Sequence, residues 1–482
     1  MSAPATPTTN DGKVFHVGTL TYTKAGLFSL FTWLLWGDFC FMLMEVAAPA
    51  VLQVNLNEMG APNWVLGLVL STIPGVLNMT ICPASSFWSD RFRSRWGRRI
   101  PFLFLATIPL TLFLVLLGFS KQIGALLHGA IAGGFSQTFA ILAVVVVLVF
   151  CFQVFNMVVA SVYYYLFNDV VPAEVLSRFM SIFRIVGVLS GAVFNWFFLK
   201  YAVSHMTEVF LIAAGLYATA FLLMCWKVKE GEYPPPPSHP DGGSGLVSGI
   251  KTFFVESYSI RFYWLFFLAN TCFALTSVAG GFNILQARSI GVDLDFFGKT
   301  TAVAAIVSAV LMYPAGIISD RSHPLRVLMW ATIALLVIQP LWLVFLFTDF
   351  SPAVSRGIFI AITAVTAPAL ALYMAAELPM YMRILPKSRY GQFSSANAMV
   401  RSLAVIVGGL LIGLALDWLT VWFPTKDYCY RFIPLWSLVF IGASLLFLRR
   451  LYSEWLKLGG ATSYHPPGFE PKDEPDAETV SS

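Results

Sequence analysis

Long apolar runs separated by short polar clusters dominate the chain from residue 26 to residue 450. A helix needs about 20 apolar residues to cross roughly 30 Å of hydrocarbon, and on that scale the pattern predicts twelve membrane-spanning helices. Six lie near residues 26–52, 63–88, 100–119, 137–167, 180–203 and 207–226, and six more near 261–285, 297–318, 326–348, 357–382, 394–419 and 431–450. Between the sets, Pro234, Pro235, Pro236, Pro237, Gly242, Gly243 and Gly245 mark a polar stretch that cannot span a membrane and reads as a linker. From Leu246 to Glu256 apolar residues recur at near-helical spacing, which suggests a short helix on the membrane surface. The expected organisation is a tail at 1–24, six-helix halves at 25–226 and 259–451 joined by a linker at 227–258, and a disordered tail at 452–482. The fold class is all-α integral membrane.

Composition agrees. Of 482 residues 58% are hydrophobic and 11% charged, against about 25% charged in soluble domains, so a water-soluble globule is excluded. A net charge of +5 in scattered clusters does not form a nucleic-acid-binding stripe. Six cysteines, five of them inside apolar runs, give neither a disulfide framework nor zinc spacing. Residues 1–24 lack the apolar core of a signal peptide, so the first helix is expected to direct its own insertion. Lys and Arg are retained on the cytoplasmic side. Placing both termini there assigns 22 of the 30 to cytoplasmic segments, which predicts a multi-pass protein of the cell membrane. Gly291, Gly298, Lys299 and Thr300 do not form a P-loop, because six residues separate the glycines where four are required. No enzyme constellation stands out, and no cofactor or metal is expected.

The halves resemble each other. Ser89-Asp90-Arg91 after the second helix recurs as Ser319-Asp320-Arg321 after the eighth, an offset of 230. Cys40-Phe41-Met42-Leu43-Met44-Glu45-Val46-Ala47 recurs as Cys272-Phe273-Ala274-Leu275-Thr276-Ser277-Val278-Ala279, at an offset of 232. Two nearly equal offsets imply tandem duplication, and an even number of helices per copy makes the repeats parallel.

Twelve helices in two parallel halves resemble the major facilitator superfamily. Its Gly-x-x-x-Asp-Arg-x-Gly-Arg-Arg loop is similar to Asp90-Arg91-Phe92-Arg93-Ser94-Arg95-Trp96-Gly97-Arg98-Arg99, with Ser86 in place of the first Gly. The Arg-Ser-Arg-Trp-Gly run, Pro101, and Asn168-Asp169-Val170-Val171-Pro172-Ala173-Glu174 followed by Arg178 resemble the glycoside-pentoside-hexuronide cation symporters and sucrose carriers. That resemblance implies a cytoplasmic gate at Asp90, Arg91, Gly97, Arg98 and Arg99, with Asp320 and Arg321 as its weaker copy. Physically, Gly97 permits a tight turn, Asp90 can pair with a cation on a neighbouring helix, and arginines anchor to anionic headgroups.

Ionisable groups inside a span cost at least about 2.5 kcal/mol at its centre and need a partner or a wet cavity. Asp38, Glu45, Arg184, Glu377 and Arg401 are therefore candidate substrate or coupling-ion residues. Asp38 and Glu45 lie two turns apart on one helical face, expected to line a central cavity. The resemblance places a sugar-contacting acid at Asp38, a cavity cation pairing with it at Arg184 and a sugar-stacking aromatic at Tyr164. Headgroup snorkelling by Arg184 and a structural Glu377–Arg401 pair are the alternatives. Sodium-coupled members of the resembled family place two aspartates on helix two, where this chain has Asn78-Met79-Thr80-Ile81-Cys82-Pro83. With only an amide and a thiol there, a proton is the expected coupling partner. The expected function is alternating-access transport of a sugar or glycoside by a monomer in the bilayer. The alternatives are a non-sugar or lipid carrier, an uncoupled uniporter and a non-transporting sensor.

Overall fold

The computed structural model describes residues 14–131, 134–233, 254–423 and 425–468. Twelve of its helices are long and apolar enough to cross a membrane. They are α1 (Lys24–Glu58), α2 (Asn63–Arg91), α3 (Ile100–Gly118), α4 (Gln137–Val170), α5 (Ala173–Tyr201), α6 (Met206–Lys227), α7 (Arg261–Ser289), α8 (Leu294–Ser322), α9 (Pro324–Phe347), α10 (Pro352–Ile384), α11 (Tyr390–Thr420) and α12 (Asp427–Lys457). The helices overrun the apolar runs because hydropathy marks only the hydrocarbon slab, whereas a helix continues until it is capped. Thr23, Ser136 and Asp293 supply such caps, their side-chain oxygens accepting from the N–H groups of Gly26, Phe139 and Phe296. The surface helix expected at 246–256 lies mostly outside the described residues, of which 254–258 are helical. The acidic stretch 470–482 lies wholly outside them.

Ahead of α1 a small hairpin pairs β1 (Phe15–Val17) with β2 (Leu20–Tyr22). Its Thr19 hydroxyl accepts from the Glu232 N–H at 2.8 Å, which ties the N-terminal segment to the chain leaving α6. Because the spans alternate, α1 starts and α12 ends at one end of the bundle, here the terminal end; the other is the distal end.

The packing is uneven along that axis. The apolar core of the first six helices, including Leu34, Phe41, Val149, Phe167 and Phe221, continues into Phe282, Leu285, Phe345, Ile412 and Tyr430 of the last six. Those latter residues all sit distally. Toward the terminal end the last six helices carry a separate core around Phe266, Leu328, Tyr381, Phe393 and Trp455. Among the described residues the two halves thus share one interior from mid-span to the distal end, where burying apolar surface holds them together.

Candidate functional site

The terminal loop between α2 and α3 is a hydrogen-bonded knot. Ser94 and Gly97 bond to each other in both directions at 3.1 Å, closing a turn in which Gly97 has φ +99°. A side chain there would be strained, and a Cβ would overlap Glu230. The Glu230 carboxylate, delivered by the segment after α6, accepts from the N–H groups of Arg98 (2.9 Å), Arg99 (2.8 Å) and Ile100 (2.6 Å). It thereby caps α3, which has no side-chain cap of its own.

The cap aims two guanidinium groups at two carboxylates. Arg98 grips Asp169 of α4 with both prongs, at 2.9 and 2.6 Å. Arg99, almost wholly buried, bonds Asp169 at 3.1 Å and also Asp90 and Ser89. Tyr233 donates to Glu230 and lies under the Arg98 guanidinium. Burial first, then the charges of Glu230 and Asp169, push its phenol pKa up. The Arg98 pKa is raised as well, chiefly by its bond to Asp169. Asp90 thus has its cation partners within the first half, while Arg91 lies over the Phe87 ring. In the repeat copy Asp320 approaches Arg383 only to 3.8 Å and the Ser319 hydroxyl has no partner among the described residues. Lacking the Gly-Arg-Arg that builds the first knot, the second loop forms none, and Arg321 is exposed.

Inside the first half, Asp38 is fully buried and neither of its carboxyl oxygens has a hydrogen-bond partner among the described residues. Tyr163 and Tyr164 are within electrostatic reach of it. Tyr163 gives its hydroxyl to the Leu34 carbonyl and lies close against Gly37. Asp38 therefore does not line an open cavity in this conformation, contrary to the expectation from its helical face. Arg184 is exposed and acts on Tyr164, not in an ion pair with Asp38. Glu45, on the same face two turns on, is half-buried and accepts from Asn156 at 2.6 Å. Asn78 accepts from the Cys82 thiol at 3.1 Å. In the other half Arg401 meets Glu377 at 3.5 Å, and Tyr381 donates to the same carboxylate at 3.1 Å.

The profile of the family described as MFS/sugar transport protein matches residues 34–431, most of the chain. The protein belongs to that family. As a major facilitator transporter it shares its fold with a bacterial homologue of the human lysosomal transporter Spinster in an inward-facing, unoccupied conformation (TM-score 0.67, 15% identity, 90% of this chain and 99% of that one). A variant of the nucleoside transporter NupG (0.65, 13%, 88% and 99%) and a D-xylose–proton symporter (0.59, 12%, 86% and 97%) also share it. At such identities the likeness shows fold alone. No curated protein sequence gives a significant match.

Among the described residues, the transporter's halves make polar contacts toward the distal end. Glu58 pairs with Arg288 at 2.6 Å, and the Tyr430 hydroxyl lies 2.8 Å from the Asn57 and 2.7 Å from the Asn63 amide oxygens. The Asp417 carboxylate accepts from the Asn63 and Trp64 N–H groups. The sequence reading missed this set, as it missed Glu230, Tyr233 and Asn156. One signal was present: Gly409 and Gly413 form a small-xxx-small step in an apolar helix, the mark of close helix approach.

Proposed function

We propose that this transporter moves a sugar or glycoside by alternating access, with Asp38 as the proton-accepting group of its substrate site. The burial of Asp38 without any donor or cation carries the reading. An ionised carboxylate in that setting is expensive, and taking up a proton removes the expense. Such a group responds to both proton and substrate. Tyr164 offers a ring face and Arg184 hydrogen-bond donors for hydroxyl-rich solutes, and Asp38 and Arg184 both act on Tyr164.

A sugar is favoured by the family description. Asn78, its amide oxygen already engaged by the Cys82 thiol, is a poor start for a sodium site. With the terminal end cytoplasmic, as the basic residues suggest, the conformation is inward-facing: closed distally, with Arg184 and Arg401 accessible. Asp90, Arg98, Arg99 and Asp169 then act as a unit that keeps the ends of α2, α3 and α4 moving together. The Glu377–Arg401 pair, on α10 and α11, offers the second half's charges to the same solute.

A thermal-shift screen of the purified protein against mono- and disaccharides tests the substrate class, since a ligand that binds the folded state stabilises it. At least one sugar is expected to raise Tm in a concentration-dependent way. Stabilisation by lipid or nucleoside and by none of the sugars would overturn the assignment.

A further inference from the structure

Asp417 sits in the last turn of α11, where its charge opposes the negative end of its own helix dipole. Its two oxygens instead accept from Asn63 N–H (2.8 Å) and Trp64 N–H (2.9 Å), which open α2 in the other half. That helix start has no side-chain cap of its own: Pro62 precedes it and offers only its backbone carbonyl, which accepts from the Val65 N–H at 3.0 Å. A carboxylate ill-placed for its own helix is thus the missing cap of another.

Beside it, α2 and α11 touch backbone to backbone. A Cβ on Gly67 would overlap the Gly409 carbonyl, one on Gly409 would meet Ser71 Cβ at 2.7 Å, and one on Gly413 would meet Trp64 Cα at 2.6 Å. Thr72 donates to the Ile406 carbonyl at 2.8 Å across the same seam. A turn of π-helix, Leu68–Thr72, interrupts α2 where this seam is tightest. Separating the helices breaks the cap and every one of these contacts together.

We propose that Asp417 is a positioning residue of the transport cycle: a helix cap supplied across the halves, which latches the distal gate and must release for it to open. The inference rests on the alternating-access reading. Removing the cap should move the closed-to-open ratio toward open by about 5- to 30-fold. Gly67→Ala should open the same gate by steric wedging with the carboxylate intact.

The test is an interspin distance between nitroxides at Ser204→Cys and Thr348→Cys, exposed distal positions on the two halves, in full-length protein in nanodiscs on a background of unreactive native thiols. The parent should give a predominantly short distance. Asp417→Ala and Gly67→Ala should each add a long one, Asp417→Asn a smaller fraction of it, and Asp417→Glu should restore the short distance. A parent-like distribution in a monodisperse Asp417→Ala or Asp417→Asn protein, with Gly67→Ala opened, overturns the latch and leaves alternating access standing. A single distance in parent and Gly67→Ala alike, across pH 5 to 8 and a sugar panel, overturns the transport cycle itself.

Discussion

Replacing Glu230 tests whether the terminal knot is held by its cap. The carboxylate satisfies three N–H groups at the start of α3, two of them on residues almost wholly buried. Losing a cap costs about 1 kcal/mol, and leaving a buried donor unpaired costs about 1 to 3 kcal/mol. Water can reach Arg98 at the knot's edge, so Glu230→Ala should destabilise by about 3 kcal/mol in all. Glu230→Gln, which keeps an acceptor but loses the charge, should cost about 1 kcal/mol. An unfolding entropy of about 2.1 cal/mol/K per residue over 482 residues converts these to Tm losses of about 3 and 1 °C, read by intrinsic fluorescence at a fixed scan rate. Gly97→Ala should cost a similar amount, and the double variant should cost less than the sum because one contact is being removed twice. A Glu230→Ala protein melting with the wild type would refute the cap.

Asp38→Asn removes a charge at nearly constant volume and should abolish uphill accumulation while leaving counterflow; wild-type accumulation would dismiss Asp38 as the coupling group. Arg184→Ala should weaken substrate binding more than Arg184→Lys, and two silent variants would reduce Arg184 to a headgroup anchor. His323, between α8 and α9, has its pKa pulled down to about 4 by burial, then by Arg383 and Arg326. Its neutral form is the folded one, so the unfolded chain gains a proton first as pH falls from about 6.5 toward 4, and stability drops over that window. His323→Asn should flatten that part of the Tm–pH curve, and identical curves would contradict the placement of the ring. Ser453→Cys, exposed near the end of α12, should resist an impermeant thiol reagent in intact cells; ready labelling would invert the orientation.

The twelve spans were legible because hydrocarbon thickness imposes a length and a polarity on each one. The Asp90 to Arg99 loop was legible as a unit because its charges are contiguous. Its partners were not: Asp169 and Glu230 come from separate segments, and pairing between carboxylates and arginines distant in sequence has no local period. Asp38 was found by the cost of a charge in a span, yet its burial was not, since facing a helix side does not decide whether a neighbouring tyrosine covers it. Asp417 escaped the same criterion because it lies near a helix end, where a charge reads as interfacial. Only the packing of α2 against α11 turns it into a cap.

Uptake of labelled sugar into proteoliposomes under imposed gradients tests the central claim most directly. An acid-outside pH gradient should drive accumulation of a sugar that shifts Tm, a sodium gradient alone should not, and Asp38→Asn should remove the accumulation. A folded, sugar-binding protein that equilibrates the sugar without concentrating it under either gradient would contradict proton coupling. One that moves no sugar at all would contradict sugar transport.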